Sequence, residues 1–155
     1  MPGNLSHNPA VLYHASLERI TAARRALDDS AFVEAMYWSG VSVECILQAV
    51  ALRGTKSHDA AHDLPKWLAK CPSSLQDVIK TSTITEWSKV VIMWDNHLRY
   101  LSFDGLLGYL RAKRLTHGVS GDAKSVVRWN ARQLVDAAAV VHARGVAHWL
   151  SYAKR

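Results

Sequence analysis

The stretch Asp122–Tyr152, DAKSVVRWNARQLVDAAAVVHARGVAHWLSY, decides the fold. Val127, Ala131, Leu134, Ala138, Val141, Gly145 and His148 recur in it at three- and four-residue steps, which places them along one side of an α-helix. Asp122 is a helix-start residue, because its carboxylate can accept a backbone N–H of the first turn. The small residues of that seam let neighbouring helices approach closely, as the seam of a bundle helix requires.

Working outward, Asn8-Pro9 is a second start signal, and Tyr13, Leu17, Ile20, Ala23 and Leu27 continue it at helical spacing to about Asp28. Ser30 is placed to cap the next helix, whose stripe is Phe32, Met36, Gly40, Val43, Leu47 and Val50, stopped at Gly54. These two helices are expected to pair as an antiparallel hairpin. Residues 54–61 read as a loop, His62–Cys71 as a short helix ended by Pro72, and Ser74 as the cap of a turn through about Thr81. Thr85–Met93 is helical by the spacing of Trp87, Val91 and Trp94; Val90-Val91-Ile92 would suit a strand, but no second strand exists to pair with it. Phe103–Leu115 is a further helix, broken by Gly118 and Gly121. The expectation is an all-α, up-and-down bundle of about five or six helices, forming a single domain over residues 1–155.

Composition narrows the function classes. With 49% hydrophobic residues the chain can fill one core. Its uninterrupted apolar runs, such as Val90–Trp94 and Ala137–Val141, fall far short of the roughly 18 residues of a membrane span. Residues Met1–Asn8 lack the basic, apolar and small-residue segments of a secretion signal, so a cytoplasmic home without membrane contact is expected. Cys45 and Cys71 have no zinc-type spacing and read as reduced thiols, and no cofactor is expected. Charge is unevenly placed: residues 1–110 hold 10 Lys/Arg against 11 Asp/Glu, net −1, whereas residues 111–155 hold 9 against 2, net +7. An electropositive face suited to phosphates follows, unless the charge is only a solvated surface.

Gly40-Val-Ser-Val-Glu44 followed by Leu47 and Ala49, then His62-Asp63-Leu64 with Leu68, then Trp94 and Arg99-Tyr100, resembles the ordered landmarks of HEPN domains. The likeness spans roughly residues 31–100, with a long final helix in the expected place. It departs at Gln48, where the family often has Lys, and in the additional helix at 103–117. The resemblance implies a helical bundle, often a homodimer, of the kind found in toxin–antitoxin systems, defence RNases and non-catalytic RNA- or nucleotide-binding proteins. An antitoxin-type protein partner is implied in the same way.

RNase-type members of that family carry an Arg followed by four to six residues and a His, and Arg111 with His117 fits this formally. A His moves protons near neutral pH, and an Arg holds a scissile phosphate as negative charge builds, with no metal required. Arg53 with His58 fits as well, and chance alone yields about two such pairs in a chain with this many Arg and His. The surroundings single out the first pair. Lys113 and Arg114 adjoin it, Gly118 and Gly121 permit close approach of backbone, and the start of the final helix offers N–H groups to an anion. Lys124, Arg128 and Arg132 continue the charge as a four-residue stripe. Trp129 reads first as a core or interface anchor and second as a platform for a base.

Glu44 interrupts an apolar stripe, so it requires a partner; Arg99 is the first candidate and His62 the second, in a structural polar network. The repeated pairs His58-Asp59 and His62-Asp63 have no evident third ligand, so no metal site is expected. His142 and His148 read as satisfied core or interface side chains. Three functions remain: a metal-independent endoribonuclease, a module binding RNA or nucleotide without chemistry, and a helical interaction protein that forms a homo-oligomer or binds a partner.

Overall fold

The computed structural model describes residues 8–54 and 62–152. Seven α-helices follow one another: α1 (Pro9–Asp28), α2 (Phe32–Gly54), α3 (Leu64–Lys70), α4 (Ser73–Thr81), α5 (Ile84–Met93), α6 (Phe103–Ala112) and α7 (Ala123–Tyr152). A 3-10 helix, Asn96–Tyr100, joins α5 to α6, and no strand occurs among the described residues. The chain is therefore all-α, with more helices than the sequence suggests, because the turn expected from Ser74 through about Thr81 is a helix of its own, Ser73–Thr81. The expected loop at 54–61 lies outside the described residues except for Gly54, which is the last residue of α2.

Side-chain caps set the starts of α1, α3, α6 and α7. The Asn8 side chain accepts from Ala10 N at 2.9 Å, the Asp63 side chain from Lys66 N at 3.1 Å, and the Ser102 side chain from Gly105 N at 3.1 Å. Ser30 does something other than cap α2. It takes φ 59°, its N–H reaches Leu27 O, and the Ala31 N–H reaches Ala26 O at 2.8 Å. That left-handed closure ends α1, a task usually given to Gly. Arg114 repeats the device at the end of α6, with φ 58°, its N–H on Arg111 O and the Leu115 N–H on Leu110 O. The helix expected to reach Leu115 thus stops at Ala112.

Helix α2 is central, packing against α1, α7, α3, α6 and the 3-10 segment. It is long and apolar enough, by length and composition, to cross a membrane, and 67% of its most apolar window is buried inside the fold. Helix α7 lies antiparallel to α1, with His142 on Ser16 and Trp149 stacked on Tyr13. It runs in the same direction as α2, with Arg128 over Phe32 at one end and Arg53 over Trp149 at the other. Helices α3 to α6 carry the chain back between them, so the order is not a simple alternation of up and down. One hydrophobic core draws on all seven helices, including Leu12, Met36, Leu68, Ile79, Val90, Leu110 and Leu134.

Two glycines set the closest approaches. A Cβ on Gly40 would fall within the Trp94 indole, so α2 carries Gly where Trp94 crosses it, and Trp94 Nε1 donates to Tyr37 O at 3.1 Å. A Cβ on Gly145 would meet Ile46 Cγ1 at 2.6 Å, which lets α7 press on α2.

Candidate functional site

Glu44 sits buried on α2 and is partnered within the chain. Its Oε1 accepts from Gln48 Nε2 at 3.0 Å and lies 2.9 Å from His62 Nδ1. Burial raises the Glu44 carboxyl above its ordinary pKa, and the charge and hydrogen bond of His62 work in the opposite direction. The second candidate partner is the one present. Arg99, the first candidate, is fully exposed, lies 4.6 Å from the Tyr100 ring centroid and has its pKa raised chiefly by a hydrogen bond with Tyr37. A residue in the 3-10 segment turned towards solvent does not enter the α2–α3 seam, and the sequence gives no sign of that turn. Gln48, read only as a departure from the family pattern, supplies the second hydrogen bond. The His62 side chain is 53% exposed and borders a small cavity of about 240 Å³ beside Trp94.

A second region is built where α6 ends and α7 begins. Between α5 and α7 runs a groove of about 570 Å³, walled by Ile84, Ile92, Met93, Leu115 and Trp129. Arg114 and His117 border it from the α6–α7 loop. Across it, Lys89 Nζ donates to Gln133 Oε1 at 2.7 Å. Asn130 contributes to the lining, with both amide hydrogens given to backbone carbonyls, Leu115 O at 3.2 Å and Val126 O at 3.0 Å. Those bonds fix the amide orientation and leave Oδ1 buried with no partner among the described residues. Trp129 is 48% exposed, so it walls the groove and is no core anchor, which leaves the interface anchor and the base platform of the sequence reading.

The cations expected to form one face are distributed as follows. Arg111, Arg114, Lys124, Arg128 and Arg132 are exposed, and none forms an ion pair with a described residue. Lys113 differs: its Nζ donates to Ile92 O at 2.8 Å and sits over the Tyr109 ring, so it closes the end of α5. Arg144 lies twelve residues beyond Arg132 on α7, about 18 Å along the axis, and Lys154 and Arg155 are outside the described residues. The charge is therefore concentrated at the α6–α7 junction rather than across the whole last third. Asp122 sits within it, held below the usual carboxylate range by hydrogen bonds from Ser125, then by Lys124 and Arg128. Its Oδ1 accepts from Ser125 N at 2.8 Å, so the start of α7 already carries a carboxylate and is not an open anion site.

Arg111 and His117 do not share a site in one chain. His117 borders the groove and Arg111 does not; the guanidinium beside His117 is that of Arg114, which the left-handed turn carries to the same rim. Arg53, from the alternative pair, is committed elsewhere. It lies over the Trp149 ring at 3.2 Å and donates to Trp149 O at 2.9 Å, while His58 and Asp59 lie outside the described residues.

Two histidines and two cysteines lie wholly or partly buried in the bundle. His142 Nε2 is 3.0 Å from Ser16 Oγ, whose own hydrogen goes to Tyr13 O, so the imidazole donates through Nε2. Burial, with Arg24 adding to it, pushes its pKa down to about 4. His148 is not fully satisfied: its Nε2 is buried without a partner among the described residues. Burial pushes the thiols of Cys45 and Cys71 up to about 11 and about 12, which keeps both protonated and unreactive. Among the described residues no three His, Cys, Asp or Glu side chains gather as metal ligands. Family models, curated proteins and solved structures give no match to this chain.

Proposed function

We propose that this protein is a HEPN-like RNA-binding module that grips phosphates at the junction of α6 and α7. The observation that carries this reading is the set of exposed cations with no ion-pair partner among the described residues, Arg114 on the groove rim and Lys124, Arg128 and Arg132 along α7, close in sequence to a half-exposed Trp129. Exposed cations concentrated in one place attract a polyanion through its phosphates and release its counterions. An aromatic face beside them suits a base.

Lysine footprinting tests it. With a single-stranded RNA oligonucleotide bound at low salt, Lys124 should lose reactivity towards amine acetylation, while Lys66 and Lys80 on α3 and α4 keep theirs. Uniform labelling, or no complex at low salt, sinks the reading.

A second reading, metal-independent cleavage of RNA, is favoured by His117 standing at the rim beside Arg114. Arg111 would then serve from the second copy of a homodimer, since it lies off the groove in its own chain. Incubation with mixed RNA in EDTA should yield fragments that His117→Ala abolishes; intact RNA, or cutting that survives the substitution, removes the catalytic reading and leaves binding. A plain interaction protein predicts neither footprint nor fragments, only a stable oligomer.

A further inference from the structure

We propose that the α5–α7 groove is a binding site for a small apolar carboxylate, an acid with a hydrocarbon body and a single negative charge that pairs with Lys89. Such a site stands apart from phosphate gripping, since three of the four cations assigned to that task, Lys124, Arg128 and Arg132, do not line the groove.

The body of the occupant follows from the walls. Ile84 and Ile92 on α5 and Trp129 on α7 are 46%, 54% and 48% exposed, and Met93 and Leu115 line the same groove. Scattered singly, exposed apolar side chains need no explanation; gathered in one concave site, they mark a place for a ligand. Ile84 and Ile92 lie eight residues apart, about 12 Å along the axis of α5. A volume of about 570 Å³ falls in the range of single small-ligand sites.

The charge of the occupant follows from Lys89. This residue is half-buried on α5, and its Nζ reaches across the groove to Gln133 Oε1 at 2.7 Å. Gln133 is neutral, so it accepts a hydrogen bond without cancelling the charge. Lys89 forms no ion pair with a described residue, and no described Asp or Glu lines the groove. A cation partly withdrawn from water beside apolar walls stays uncompensated until an anion enters. An ammonium has three donors, so hydrogens remain for a carboxylate oxygen after Gln133 has been met. Arg114 at the rim adds potential of the same sign, which draws anions and repels amines. Lys89 is the one cation that α5 and α7 contribute to the lining, so a monoanion matches it. A phosphate dianion would bring surplus charge between apolar walls, and an uncharged hydrocarbon would leave Lys89 unpaired.

Calorimetric titration of the whole protein with octanoate and with 2-naphthoate, each beside its uncharged amide, tests the site. At least one acid should bind once per chain and about tenfold more tightly than its amide, and Lys89→Gln should abolish that difference while holding the amide within about twofold. Ser88→Phe, which narrows the groove from α5, should weaken acid and amide alike by about tenfold. The Lys124→Gln/Arg128→Gln/Arg132→Gln variant should bind the acid as the parent does. Equal affinity for acid and amide, an acid preference that survives Lys89→Gln, or binding that survives Ser88→Phe in a folded protein overturns the proposal. Loss of acid binding in the triple variant would put the anion on the α7 stripe and overturn it too. Uptake of neither acid also overturns it, and a dimer that Ser88→Phe dissociates would then assign the groove to a second copy. Should Ser88→Phe not fold, Lys89→Gln decides alone. Failure here leaves the RNA-binding reading untouched, and RNA that fails to bind leaves this site standing.

Discussion

The α2 seam and the α6–α7 junction treat polar groups in opposite ways. On α2 each polar group that enters the core has a partner inside the chain: Glu44 lies between Gln48 and His62, and the Trp94 N–H rests on the Tyr37 carbonyl above Gly40. At the junction, Arg114, Lys124, Arg128 and Arg132 have no ion-pair partner among the described residues, Asn130 Oδ1 has no hydrogen-bond partner among them, and Arg114 holds a backbone conformation that favours Gly. Groups satisfied within the chain contribute to stability. Exposed cations left unpaired are the ones available to something outside it.

The largest expected effect lies on the satisfied side. Gly40→Ala places a methyl within the Trp94 ring, and overpacking of this kind costs about 3 kcal/mol. For a chain of this size the melting temperature should fall by roughly 10 °C, with RNA affinity of the folded protein unchanged. A melting point equal to the parent's would mean that Trp94 does not occupy that space.

His142 follows. Folding holds it neutral with a pKa of about 4, whereas the unfolded chain takes up the proton near 6.5, so the stability it contributes is complete above pH 6.5 and is lost as the pH falls towards 4. The loss is at most about 3 kcal/mol, and His142→Gln should flatten it. Glu44 opposes this trend, because a carboxyl with a raised pKa regains stability as it protonates. Urea unfolding at pH 7, 5.5 and 4.5 measures the balance, and identical slopes in parent and variant would exclude His142 as the origin.

Smaller effects separate the Glu44 partners. His62→Ala leaves the buried carboxylate with Gln48 alone and should destabilise by about 1 to 2 kcal/mol, less than a fully buried pair because His62 is half exposed. Glu44→Gln keeps an acceptor for both neighbours and should cost under about 1 kcal/mol. Neither should alter RNA binding; an affinity change of tenfold for either would move the seam into the functional site. On the unsatisfied side, Arg114→Gly relieves the left-handed turn and should stabilise by about 1 kcal/mol while weakening RNA binding. Gain in one and loss in the other is the signature of strain held for function.

Sequence periodicity made the helices legible because burial on one face leaves a pattern. The long stripes of α1, α2 and α7 and the caps Asn8 and Asp122 were all readable, and the α5 segment resolved as helix for want of a strand to pair with. Ser30 and Arg114 were not, since a left-handed residue other than Gly carries no mark in the sequence. The need of Glu44 for a partner was visible in its stripe, but the choice of His62 over Arg99 depends on the turn of a 3-10 segment. The charge asymmetry pointed to the last third, and only packing could show that Lys113 closes α5 while Arg111 stands off the groove that holds His117. The groove itself joins residues of α5 and α7 more than thirty positions apart, and the one signal for it was Trp129 beside a basic stripe.

The most direct measurement is the salt dependence of affinity for a single-stranded RNA, taken on the parent and on Lys124→Gln/Arg128→Gln/Arg132→Gln. Each phosphate neutralised on a single strand contributes about 0.7 to the slope of log affinity against log salt. Loss of three contacts should therefore make the variant's slope shallower by about 2, with helicity and melting temperature retained. A variant slope equal to the parent's would show that these cations do not meet phosphates.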